Sequence, residues 1–144
     1  MSLKGKNLMR INGTFTTKNF EPAAVKPMPN IVTGLPTGVA TMEKVFSGAV
    51  SGHSATIFTA AFDPARGIGS YIAMESFEGE LEGRKGAFSF IHSAATKAKN
   101  RTDEFFSIVE GSGSGSLEGI RGTGGIKIDE AGTHRIWFDI DGID

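Results

Sequence analysis

The chain has 144 residues, a formal net charge of −1 and no cysteine. That length suits one domain with a real core, and the near-neutral balance gives no global electrostatic case for binding nucleic acid or an anionic membrane surface. Without cysteine, disulfides and thiolate metal sites are excluded.

The opening residues MSLKGKNLMRINGT hold neither an apolar run nor a cleavage pattern, so no signal peptide is expected. No stretch approaches the roughly 20 apolar residues of a transmembrane helix. The expectation is a cytoplasmic, bacterial-type protein. Residues 7–17 read as a first, polar strand. Residues 18–36 carry Pro22, Pro27, Pro29 and Pro36, which argue against a continuous helix or a central strand. They read as an arm or lid over a single barrel domain spanning 1–144, or as a passive connector. Residues 37–50 and 53–62 form a hairpin turning at Ser51-Gly52, and 63–67 (DPARG) is a turn sequence.

Residues 71–93, YIAMESFEGELEGRKGAFSFIHS, read as a long hairpin. A two-residue loop needs positive φ, and Gly83 after Glu82 relieves that strain. This loop sets Leu81 opposite Arg84, Glu80 opposite Lys85, Gly79 opposite Gly86, Phe77 opposite Phe88, Glu75 opposite Phe90 and Ala73 opposite His92. Because side chains alternate along a strand, one face carries Tyr71, Ala73, Glu75, Phe77, Leu81, Phe88, Phe90 and His92. The other is polar near the turn and carries Ile72, Met74 and Ile91 farther away.

Residues 94–102, with Lys97, Lys99 and Arg101, read as a short helical turn or a mobile loop. A strand over 103–117 ends in a Gly/Ser-rich stretch that allows strong curvature. Residues 120–129 pair back across Glu118-Gly119, setting Glu110 opposite Lys127. Residues 130–132 turn the chain into a last strand over 133–140. The signature Gly-x-(Leu/Val)-x-Gly recurs at 48–52, 79–83 and 115–119, spacings that fit a strand-turn-strand unit with a return loop. Eight consecutive antiparallel strands, three tight turns at one end and looser connections at the other predict an all-β, closed up-and-down barrel of the calycin-like kind, with a two-sheet sandwich as the alternative.

Lys44 lies four residues before Gly48 and Glu75 four before Gly79, so the repeat places both at one level on the aromatic face. Glu75 and His92 lie one rung apart on adjacent strands, with Tyr71 near the same end. A carboxylate and an imidazole in an apolar lumen have perturbed pKa values, which is how general acids and bases are tuned. Glu75 and His92 are the candidate catalytic pair; Tyr71, Lys44, Phe77, Phe88 and Phe90 are the candidate ligand contacts. The competing reading is that an eight-stranded barrel has just enough interior for its own side chains, and that the buried charges only satisfy one another.

Three dispersed histidines do not make a metal site. The facing of His134 depends on a turn parity the sequence leaves open, and His53 beside a turn reads as solvated. Residues 111–115 (GSGSG) lack the Lys-Ser/Thr and the helix of a phosphate loop, and as GxSxG they lack the strand-turn-helix of a nucleophile elbow. The 97–101 basic cluster is too short for a nucleic-acid face. Ile72, Met74 and Ile91 form an outer apolar patch, which serves a homo-oligomer if exposed and is core if the proline-rich arm covers it.

At GSYIAMESFEGELEGRKGAFSFIHS, VEGSGSGSLEGIRGTGGIKI and HRIWFDID the chain resembles a family of uncharacterised bacterial proteins. Their domain of unknown function has an allene-oxide-cyclase-like barrel. The resemblance spans roughly residues 37–140. It implies an eight-stranded antiparallel barrel whose relatives handle hydrophobic small molecules without metal or organic cofactor, often as trimers or dimers. No catalytic motif of the plant cyclases maps position by position, so no residue role carries over, and fold alone does not fix activity. Two functions stay open: binding of a small hydrophobic molecule, with cofactor-free isomerase or cyclase chemistry as an addition, or a non-catalytic barrel with a filled lumen acting through its surfaces.

Overall fold

A computed structural model describes residues 8–98 and 100–144. The reading of the extreme N-terminus, and the Asn7 and Lys99 parts of two segments, lie outside them. Among the described residues there is no helix, hence none long and apolar enough to cross a membrane. The strands are β1 (Met9–Ala23), β2 (Thr37–Gly48), β3 (Val50–Asp63), β4 (Ile68–Leu81), β5 (Arg84–Lys97), β6 (Asn100–Ile108), β7 (Ser114–Gly115), β8 (Arg121–Ile128) and β9 (His134–Asp141). Every pairing is antiparallel. Each of β1 to β5 pairs with the next, β6 pairs with β8, β8 with β9, and β9 with β1, so eight strands close a ring. The two-residue β7 is an appendage on β5. Closure pairs the strand edges all round except at the β6–β8 seam, which holds the single pair Ser107–Thr123.

The central hairpin has the expected register throughout, from Leu81 opposite Arg84 to Ala73 opposite His92. Glu82 and Gly83 have φ of 49° and 85°, the positive values a two-residue loop demands. The chain departs from expectation elsewhere. β1 continues to Ala23 and pairs with β2, with Pro22 opposite Ala40, after a register shift between Lys18 and Glu21. The shift accommodates a proline near the strand end, so only residues 24–36 form the connection. The first hairpin turns at Ala49, with Phe46 opposite Gly52, rather than at Ser51-Gly52. Most of the described part of 94–102 is strand, because β5 runs to Lys97 and β6 begins at Asn100. β6 stops at Ile108 and meets β8 at Ser107 and Thr123, so Glu110 does not face Lys127 and Glu118-Gly119 is not a hairpin loop. The third connection at the turn end is therefore long (109–120), not tight.

The repeated signature records a packing need rather than a turn. Its central residues, Val50, Leu81 and Leu117, are all fully buried at one end of the barrel. Gly52, Gly79, Gly86 and Gly115 form a row across β3, β4, β5 and β7. A Cβ on Gly52 would lie 2.3 Å from the Glu78 carbonyl oxygen, and one on Gly79 2.1 Å from that of Ser51. Only glycine permits that backbone approach, which lets the wall bend sharply. Inside the bend, Phe90 stacks on Phe106 with ring centroids 4.9 Å apart and meets Phe138 edge-on at 5.3 Å, while Phe88 packs between Phe77 and Phe138. These rings plug the turn end of the lumen.

Candidate functional site

Toward the opposite end, the inward positions of β2 to β5 change from aromatic to polar. Lys44, Ser54, Thr56, Glu75 and His92 are all buried there. Lys44 sits opposite Ser54, which sits opposite Phe77, so Glu75 is two residues farther from the turns than Lys44. The long lysine side chain spans that offset. Its Nζ donates to Glu75 Oε1 at 2.8 Å and lies 4.7 Å from the centre of the Phe15 ring. Ser54 Oγ donates to Glu75 Oε2 at 2.5 Å, and His92 Nε2 meets Glu75 Oε1 at 3.1 Å. Tyr71 Oη lies 3.2 Å from His92 Nδ1 and accepts a bond from Arg101 Nη2 at 2.5 Å. Arg101 Nη1 bonds the Ile126 carbonyl at 3.0 Å, and Glu104 Oε2 accepts from the Ile126 backbone N–H. This Arg101–Glu104 clamp bridges β6 and β8 where their backbone ladder is absent.

The charges follow from this geometry. Burial acts to raise the pKa of the Glu75 carboxyl, but the bonds from His92, Lys44 and Ser54 together outweigh it and hold the group below the usual carboxylate range. Burial pushes the His92 imidazole below its ordinary value of 6.5; the Lys44 and Arg101 charges add to that, against the bond to Glu75. Burial likewise raises the Tyr71 phenol, opposed by Arg101. At neutral pH Glu75 is thus an anion and His92 is neutral. A carboxylate only accepts, so His92 Nε2 carries the proton and Nδ1 is the free lone pair. The chain of donors then has one direction: Arg101 to Tyr71, Tyr71 hydroxyl to His92 Nδ1, His92 Nε2–H to Glu75.

Above these groups lies a cavity of about 700 Å³. Its walls are mostly apolar, from Phe15, Phe20, Met42, Phe58, Phe62 and Ile128, and its floor holds Lys44, Thr56, Tyr71, His92 and Arg101. The volume is in the range of sites for small organic molecules. Thr56 Oγ1 is the one buried side-chain polar atom among the described residues without a hydrogen-bond partner. Among those residues no three His, Asp or Glu side chains converge as a metal cluster would require.

The sequence profile of DUF3224, described as a protein of unknown function, matches residues 11–140. The chain belongs to the DUF3224 family. A crystal structure of a DUF3224 protein of unknown function from Shewanella oneidensis MR-1 is similar over 96% of this chain and 100% of that one. The identity is 26% and the TM-score 0.78. No curated protein matches the sequence. The family assignment agrees with the resemblance read from the sequence, and the match spans the whole barrel of this DUF3224 chain.

Of the residues singled out in the sequence, Glu75, His92, Tyr71 and Lys44 come together in one bonded network. Glu75 is fully buried beneath the cavity and does not line it; it acts on anything in the cavity only through Lys44 and His92. Phe77, Phe88 and Phe90 are not cavity contacts. Their rings fill the plugged half because their strand positions lie toward the turns. His134 faces inward and lines the cavity, 5.2 Å from the Phe15 ring. His53 is outside, bonded to Glu78. Thr56 and Arg101 escaped sequence reasoning: a hairpin loop at Ser51-Gly52 turns Thr56 outward, and Arg101 falls in a segment that reads as a short helical turn or a mobile loop. The polar alternation of β3, with Ser54 and Thr56 at inward positions once the turn is set at Ala49, is the signal that finds Thr56.

Proposed function

We propose that this barrel binds a small, largely apolar molecule in the cavity at its mouth. The observation that supports this is the cavity itself: about 700 Å³ with apolar walls and a floor of bonded polar groups. A lumen serving only as core is filled by side chains, as the turn end is. Chemistry, where it occurs, runs through Tyr71, which lines the cavity. A ligand proton passes to Tyr71 Oη as the phenol proton moves to His92 Nδ1, and the imidazolium so formed is stabilised by Glu75. Arg101 donates to the phenol oxygen throughout. In this scheme Tyr71 is the catalytic residue, His92 its proton acceptor and Glu75 a positioning residue. No metal or organic cofactor enters the scheme.

Native mass spectrometry of the purified chain, with organic extraction of the same sample, tests the binding. The expected result is an adduct released on denaturation and recovered as an apolar compound. A clean apo mass, unchanged by added apolar probes, contradicts it. The same spectra address a second reading, a barrel acting through its outside. Ile57, Ile72 and Met74 are 61%, 55% and 46% exposed, and Ile57, Met74 and Ile91 lie side by side across β3, β4 and β5. That row favours self-association, and a dimer or trimer mass supports it.

A further inference from the structure

Thr56 and Lys44 narrow the class of occupant. Thr56 lines the cavity floor, 2% exposed, with its hydroxyl unpaired. A buried hydroxyl without a partner is a cost that folding alone leaves in place. Its hydroxyl can take another staggered χ1 position to meet a partner. Lys44, also on the floor, has three N–H donors, of which Glu75 Oε1 takes one. Both groups offer donors to an occupant.

The charge balance fixes the other half of the argument. Lys44 is matched by Glu75, and Arg101 by Glu104 at 3.4 Å. The other polar lining groups are Thr17, Ser70, Tyr71, His92, Thr96 and His134. A ligand carboxylate would place an unmatched negative charge over a floor already neutralised, and buried charges are expensive without partners. A neutral acceptor oxygen meets the donors at no such cost.

We propose that the cavity floor is a subsite for a neutral acceptor oxygen, the carbonyl of a ketone, aldehyde or ester on an otherwise apolar molecule, held by Thr56 and Lys44. This rests on the cavity being a binding site, and the test separates the two claims. Nile red serves as the reporter, with 2-nonanone, nonane and sodium nonanoate as competitors, on the wild-type chain, Thr56→Val and Thr56→Ser. In the wild type, 2-nonanone should compete about tenfold more strongly than nonane, the worth of one or two net hydrogen bonds, and more strongly than nonanoate at pH 7. Thr56→Val should lose several-fold of that preference with nonane unchanged, and Thr56→Ser should keep it. The ligand-free Thr56→Val chain should melt no lower than the wild type, because it sheds an unpaired hydroxyl; this also shows that the variant folds. Equal competition by ketone and alkane, a preference untouched by Thr56→Val, or tightest binding by nonanoate overturns the head-group assignment and leaves the cavity reading standing. A wild-type chain that binds neither dye nor competitor overturns both.

Discussion

At the turn end, Phe77, Phe88, Phe90, Phe106 and Phe138 meet across the lumen and close it. At the mouth, β2, β3 and β4 offer Gly38, Ala40, Ala60 and Ala73 at inward positions, and a cavity remains. Barrel diameter is set by strand number and stagger, so it cannot explain the contrast. Side-chain volume does. Where the two halves meet, the interior turns polar, and Glu75 gathers the bonds of Lys44, Ser54 and His92. The plug thus holds the barrel together, while the mouth, relieved of core packing, is free to hold something else.

The largest test of that division is a pair of truncations. Phe90→Ala removes a fully buried ring from the plug and should cost about 3–5 kcal/mol, read as a shift in urea midpoint at unchanged m-value. Phe62→Ala, at the mouth where the ring is 41% exposed, belongs at the other end of the scale, below about 1 kcal/mol. Similar costs at both sites would erase the distinction. Between them lies the boundary layer. Glu75→Gln leaves the Lys44 ammonium buried beside a neutral amide and should cost about 3 kcal/mol; a shift within error would mean the network has no structural role.

The same layer gives a pH dependence of known sign. Both His92 and Glu75 titrate lower in the folded chain than their ordinary values of 6.5 and 4.5. Below each ordinary value the unfolded chain binds more protons, so stability falls as pH falls. The His92 contribution is complete above 6.5 and lost as pH drops through its depressed folded value, and the Glu75 contribution is lost at still lower pH. His92→Gln should flatten the upper part of that slope and leave the lower part, as measured by urea melts across pH 4 to 8.

The central hairpin was legible to the last pair because Glu82-Gly83 is a loop only one backbone shape fits, with φ of 49° and 85°. The same logic misled at Gly52, which is not a turn glycine but part of the row where strands approach too closely for any side chain; the turn glycine is Gly48, φ 102°. The error matters for the site. A loop at Ser51-Gly52 pairs Lys44 with Thr59, whereas the observed partner is Ser54. That odd offset moves every β3 side chain to the opposite face, and hides Ser54, Thr56 and Phe58 on the outside. Glu75 and His92 were legible by alternation alone. The split between plug and mouth was not, because the pattern assigns faces but does not say how far up a tilted barrel each rung sits.

The most direct test of the account is titration of Nile red into the wild-type chain and into Ala60→Trp. Ala60 lies between Gly38 and Tyr71 on neighbouring strands and lines the cavity, so an indole there fills the mouth and leaves the plug alone. Saturable, one-to-one, blue-shifted emission is expected in the wild type and its loss in the variant, with the variant's melting temperature unchanged or higher. Equal binding by both chains, or by neither, would contradict it.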